Sequence, residues 1–205
     1  QVAGTGTTTF TGALATTAAA GIEVDGTNFD FNSTITSTLG DLDIDASGTV
    51  RFNGAVAMND AGNGLVTVSN AGLLTITAAG DMSINGIFSQ DGAGAVSTAG
   101  DITTTNDNIN FLRAVTLTGA VALDSGAGAG TITFQSTLDG AQTLGLTAGT
   151  GAIDFDGIVG GTTPLGAVTI TSAANVTADA AFSAASLRQV AGTGTTTFTG
   201  ALATT

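Results

Sequence analysis

Residues 1–17, QVAGTGTTTFTGALATT, recur letter for letter as residues 189–205. Seventeen consecutive identities at an offset of 188 residues mark a tandem array. The chain therefore reads as one full period, 1–188, followed by the start of the next identical one, 189–205. A long block copied this faithfully suits length better than chemistry, because a reaction needs its site only once.

A shorter rhythm lies inside the long one. The pattern apolar–x–small–x–apolar occurs as Phe10-Thr-Gly12-Ala-Leu14, Phe31-Asn-Ser33-Thr-Ile35 and Phe52-Asn-Gly54-Ala-Val56. It returns as Ile84-Asn-Gly86-Ile-Phe88, Phe134-Gln-Ser136-Thr-Leu138, Phe155-Asp-Gly157-Ile-Val159 and Phe198-Thr-Gly200-Ala-Leu202. Looser versions span Phe111–Val115 and Val176–Ala180. The small residue advances by 21 from Gly12 to Ser33 to Gly54, and again from Ser136 to Gly157 to Ala178. The intervals from Gly54 to Gly86 and from Gly86 to Arg113 are 32 and 27 residues. They read as longer coils carrying loops, or as one extra irregular coil.

Within each coil the alternation has period two. Leu42, Ile44, Val50, Phe52, Val56 and Met58 share one face, and Asp43, Asp45 and Arg51 the other. That is strand periodicity, bounded by Gly and Asn-Gly. One motif at near-constant spacing fits stacked coils better than a sandwich, which needs hairpins. The predicted fold is all-β: a parallel β-solenoid with coils of about 21 residues and no significant helix. Phe10, Phe31, Phe52, Phe134, Phe155 and Phe198 are the expected core, stacked along one interior column. The outward column beside them should run Thr9, Asp30, Arg51, then Asn110, Thr133 and Asp154. Asp30 and Arg51 should then sit side by side, and Asn32 and Asn53 should exchange amide hydrogen bonds.

Composition narrows the partners. With 16 acidic residues, three Arg and no Lys or His, the chain carries a net charge of −13. Phosphate backbones need Lys and Arg, so nucleic acid is excluded. No apolar run approaches the roughly 18 residues of a membrane span. The absence of Cys removes disulfides and thiolate metal sites.

Leu74-Thr-Ile76-Thr-Ala-Ala-Gly80-Asp81-Met-Ser-Ile84-Asn-Gly86 and Ala99-Gly-Asp101-Ile102 resemble the β-helix repeats of filamentous-haemagglutinin-type giant bacterial surface adhesins. The likeness is one of composition and rhythm across nearly the whole chain. It implies a right-handed, three-faced parallel β-helix, export, and an extracellular or cell-surface location. It carries over no binding residue.

Little in the sequence points to chemistry. Without His or Cys no Ser/His/Asp or Cys/His arrangement can form. Asp41, Asp43 and Asp45 are the best metal candidates, for calcium, but they fail as an EF-hand loop. Ala46 stands where that loop needs Gly, and Phe52 where it needs Glu. A solvated strand face is the simpler reading, and no cofactor is expected. Carboxylate pairs for glycoside hydrolysis are easily found among so many Asp, but there is no Lys or His and the three Arg are widely scattered, and the chain is not expected to be an enzyme. Thr-x-Thr pairs such as Thr75/Thr77, Thr116/Thr118 and Thr131/Thr133 raise an ice-binding array, yet they hold no common register from the Phe anchors.

The expected role is structural: a repeat of a giant secreted fibre or adhesin stalk, with its own copies as partners, joined end to end and open to lateral self-association. The rival is an adhesive repeat that binds glycans or surfaces through loops at Met58–Gly64 and Ser89–Gly94. Its candidate contacts are Asn59, Asp60, Asn63, Gln90 and Asp91.

Overall fold

The computed structural model describes residues 4–61 and 64–205, so Asn63 lies outside the described residues. Among the described residues twenty-six short strands follow one another, with no helix. Every ladder between them is parallel, which makes the chain a β-solenoid of about nine turns. Three strands make one turn, so the stack has three faces. Face 1 begins with Thr7–Phe10, face 2 with Leu14–Thr16 and face 3 with Ile22–Gly26. Each turn lays its three strands on those of the turn before.

The strands form where period-two patterning puts β-branched or aromatic residues inward. Leu42–Ala46 alternates buried and exposed side chains along its length, and Val50–Phe52 does the same. The core is one continuous apolar column running from Val24 to Ala184. Phe31, Phe52, Phe134 and Phe155 are buried within it, while Phe10 and Phe198, near the two ends, are partly buried against it.

The five-residue motif is a corner. Its first apolar residue ends one strand, its small residue turns the chain, and its second apolar residue opens the next strand. The small residue is required because the turn below lies directly against it. A Cβ on Gly54 would fall 2.4 Å from the Ser33 carbonyl carbon, and one on Gly157 equally close to that of Ser136. Gly40 meets a second demand, with φ of 82° over the backbone of Gly21.

The motif does not keep to one corner. Phe10, Phe31 and Phe52 end strands of face 1. Ile84 ends a strand of face 2, and Phe88 opens one of face 3. Phe111, Phe134, Phe155 and Phe198 lie on face 3. The expected single column is thus two columns. Rings stack at 5.1 Å and 5.2 Å through Phe10, Phe31 and Phe52, and at 5.4 Å through Phe111, Phe134 and Phe155. Above Phe52, face 1 continues with Ile76, Thr98 and Leu117.

This corrects the reading of the 32- and 27-residue gaps. Each is one turn plus one face. Turn lengths themselves vary modestly, from 19 residues between Thr98 and Leu117 to 26 between Val56 and Met82. A smaller correction falls near the end. The corner above Gly157 centres on Ala180, between Ala178 and Phe182, and Gly200 stacks on Ala180.

In the last turns faces 1 and 2 merge. Phe182 continues face 1 through its bridge to Val159 and pairs with Leu202. The same strand, Phe182–Gln189, rounds the corner and pairs from Ala184 onward with Leu165–Ile170 of face 2.

Candidate functional site

The outer surface is where any function must reside, because the interior is filled by side chains. Its most charged patch is on face 3. Glu23 lies beside Asp43 and Asp25 beside Asp45, and the next strand continues these columns with Thr67 and Ser69. Partial burial, more than any one neighbour, raises the Asp43 carboxyl above its ordinary value; repulsion from Asp45, Glu23, Asp91 and Asp25 adds to it. Asp154 is raised in the same way by burial and by Asp156 and Asp179, against a lowering hydrogen bond from Thr177.

Asp41 does not join Asp43 and Asp45 on the strand. It sits at the corner before Leu42, where Oδ1 accepts the amide of Leu65 at 2.9 Å. Among the described residues no three acidic, His or Cys side chains converge as a metal shell.

Asp41 belongs to a wider device that the sequence reading missed. Corner Asp and Asn side chains accept backbone amides from the next turn, stapling one coil to another. Asn28 takes the amide of Thr49, Asn108 that of Thr131, and Asn175 that of Thr195, at 2.8–2.9 Å. Asp81 takes the amide of Asp101, and Asp101 takes that of Ala122, in a continuous ladder. Asp139 receives both Thr162 and Thr163. The signal was present in part as Gly-Asp at 40–41, 80–81 and 100–101, where a tight turn is followed by an acceptor.

The candidate binding loops separate into unlike parts. Met58 is buried at the end of Val56–Met58, and Asn59 is exposed just beyond it. Asp60 is engaged, its Oδ2 accepting the Gly40 amide at 3.0 Å. The turn from Val56 to Met82 is the longest, so Met58–Gly64 does fall where extra chain is carried. Ser89–Gly94 is no insertion, since Phe88 and Ile109 are one ordinary 21-residue turn apart.

Gln90 is no loop contact at all. It ends Phe88–Gln90 with its side chain fully buried. Nε2 donates to Asn70 Oδ1 at 2.9 Å and to the carbonyls of Gly92 and Gly94, while Oε1 accepts the Arg113 amide. Polar burial of this kind is stable only because both ends of the amide are satisfied. Asp91, the next residue, is exposed.

The Thr pairs form no array. On face 1 the outward column runs Thr9, Asp30, Arg51, Thr75, Ser97, Thr116 and Asp139. Thr133 stands on face 3 between Asn110 and Asp154, and Thr169 on face 2 between Gly145 and Arg188. Charged residues and changes of face interrupt every run. Two surface depressions, one beside Asp45 and Ser69 and one beside Asp81 and Asp101, both open broadly to solvent.

No protein family, no curated protein and no solved structure matches the chain.

Proposed function

We propose that this chain is a structural repeat of a giant extracellular fibre or surface-adhesin stalk, of the filamentous-haemagglutinin-like kind, displayed at or beyond the cell surface. The observation that supports this reading is the placement of the second copy. Residues 189–205 continue the same stack: Val176 pairs with Thr196, and Phe182 with Leu202. They add a coil instead of starting a new domain.

The ends of the stack favour further copies as partners. Val190 and Leu202 are 52% and 49% exposed at one end. At the other end Gly12 has nothing within 4 Å of its Cβ position, whereas its counterpart Gly200 rests on Ala180. Open strand edges and apolar ends invite another coil. In an array each junction would be covered by the next copy, and axial tension would be shared among backbone hydrogen bonds of all three faces. The high negative charge keeps so long an object soluble.

Imaging of chains with one, two and three copies tests this. Rod length should rise by roughly 42 Å per copy at the ~4.8 Å strand spacing. Separate beads on a string would refute the stalk. If changing Asn59 and Asp91 abolishes binding to glycans or cell surfaces while the rod persists, the adhesive reading takes its place.

A further inference from the structure

The two identical segments occupy different faces. Thr7–Phe10 lies on face 1, whereas Thr196–Phe198 lies on face 3. Leu14–Thr16 lies on face 2, whereas Leu202–Thr204 pairs with Phe182–Ala184, at the end of face 1. Both segments have moved back by one face.

The turn count gives the size of the step. Face 1 rises from Thr7–Phe10 through Asn28–Phe31, Val50–Phe52, Leu74–Ile76, Val96–Thr98, Val115–Leu117, Leu138, Val159 and Phe182 to Leu202, which is nine turns. Leu14 starts one face later than that column, so Leu14 to Leu202 is nine turns less one face, or eight and two-thirds. The two irregular motif gaps supply the fraction, since each adds one face to a whole turn.

We infer that successive 188-residue copies are rotated by one face relative to each other, so that each copy docks on its neighbour out of phase by a third of a turn. Three times eight and two-thirds is 26, so only every third copy returns to the same orientation. A surface used by one copy is then presented in three directions by three successive copies. The acidic columns Glu23/Asp43 and Asp25/Asp45 would wind around the fibre instead of lining one edge. No side of the fibre is left without the contact surface, which suits a filament that must meet partners from any direction.

This inference rests on the tandem-stalk reading, and the experiments separate the two. In the 205-residue chain, nitroxide labels on A57C and S83C should show spin exchange, because those residues are register partners on face 2. A whole-number period would make the 32-residue gap one long coil and set Ser83 beside Arg51 on face 1, and exchange between R51C and S83C in its place would overturn the rotation. In a three-copy chain, A93C in every copy gives an exposed gold-labelling site in a protein with no other Cys. The expected image is an unbroken rod of roughly 125 Å with labels stepping around it by a third of a turn. An unbroken rod with all labels along one edge overturns the rotation alone. Failure to form an unbroken rod overturns the stalk reading and the rotation with it.

Discussion

Asn53 Nδ2 donates to Asn32 Oδ1 at 2.6 Å across 21 residues of sequence. Two residues earlier on the same two strands, Asp30 and Arg51 are register partners as their spacing requires, yet the Arg51 guanidinium turns along its own strand and donates to Asn53 Oδ1 at 2.7 Å. Asn53 thus accepts from Arg51 and donates to Asn32, linking two turns on an exposed corner. An exposed ion pair would contribute only ~0–1 kcal/mol, so the short amide chain competes with it easily.

The corner staples should matter more than the outward charges. D101A removes the acceptor for the Ala122 amide and is expected to cost about 1 kcal/mol. D101N keeps Oδ1 and should restore most of that. D91A, at an exposed position, should change stability by less than about 0.5 kcal/mol. Urea denaturation of the three variants measures the contrast.

Phe31 sits between Phe10 and Phe52, with ring centroids 5.1 and 5.2 Å away. F31A is expected to cost about 3–5 kcal/mol through lost transfer energy and the cavity left behind. F10A, at a half-buried position near the end of the stack, should cost clearly less. Equal losses in denaturation midpoint would contradict the stacking.

Asp43 and Asp154 predict the pH response. Both carboxyls are raised in the folded chain, so over the window between their folded value and the ordinary 3.8 the folded state holds more protons than the unfolded. Stability from these two groups therefore increases as pH falls through their folded pKa, and decreases again as pH rises through it. The thermal midpoint should climb on acidification from pH 7 toward about 4. D43N should raise the midpoint at pH 7 and flatten the curve.

Gly12 and Gly157 fill the same place in the corner motif but not in the stack. G157A drives a Cβ into the Ser136 backbone and should cost about 1–3 kcal/mol, the range for overpacking. G12A should be neutral in this chain, where nothing lies within 4 Å of the added atom. In a two-copy chain the same change in the second copy should become costly, because a Cβ on its counterpart Gly200 would fall 2.3 Å from the Ala180 carbonyl carbon. Thermal melts of the one- and two-copy chains read the difference.

What the sequence by itself determined is local. Alternation in Leu42–Met58 sets which side chains point inward, and Gly or Ser between two apolar residues sets where the chain turns. The 21-residue steps through Gly12, Ser33 and Gly54 set the register that pairs Asn32 with Asn53. The face on which each strand lies was decided only by tertiary structure. All three corners make the same demand, an apolar residue on each side and a small one against the turn below, so the motif at Ile84–Phe88 is indistinguishable locally from that at Phe52–Val56. A 32-residue gap then reads equally well as a long coil or as a coil and a third. Gln90 was hidden for a related reason: its burial depends on Asn70 in the turn before and Arg113 in the turn after, neither adjacent in sequence. Closure of the hydrogen-bond ladders between turns resolves both, because every backbone group must find its partner in the neighbouring coil at the one strand spacing that a parallel stack allows.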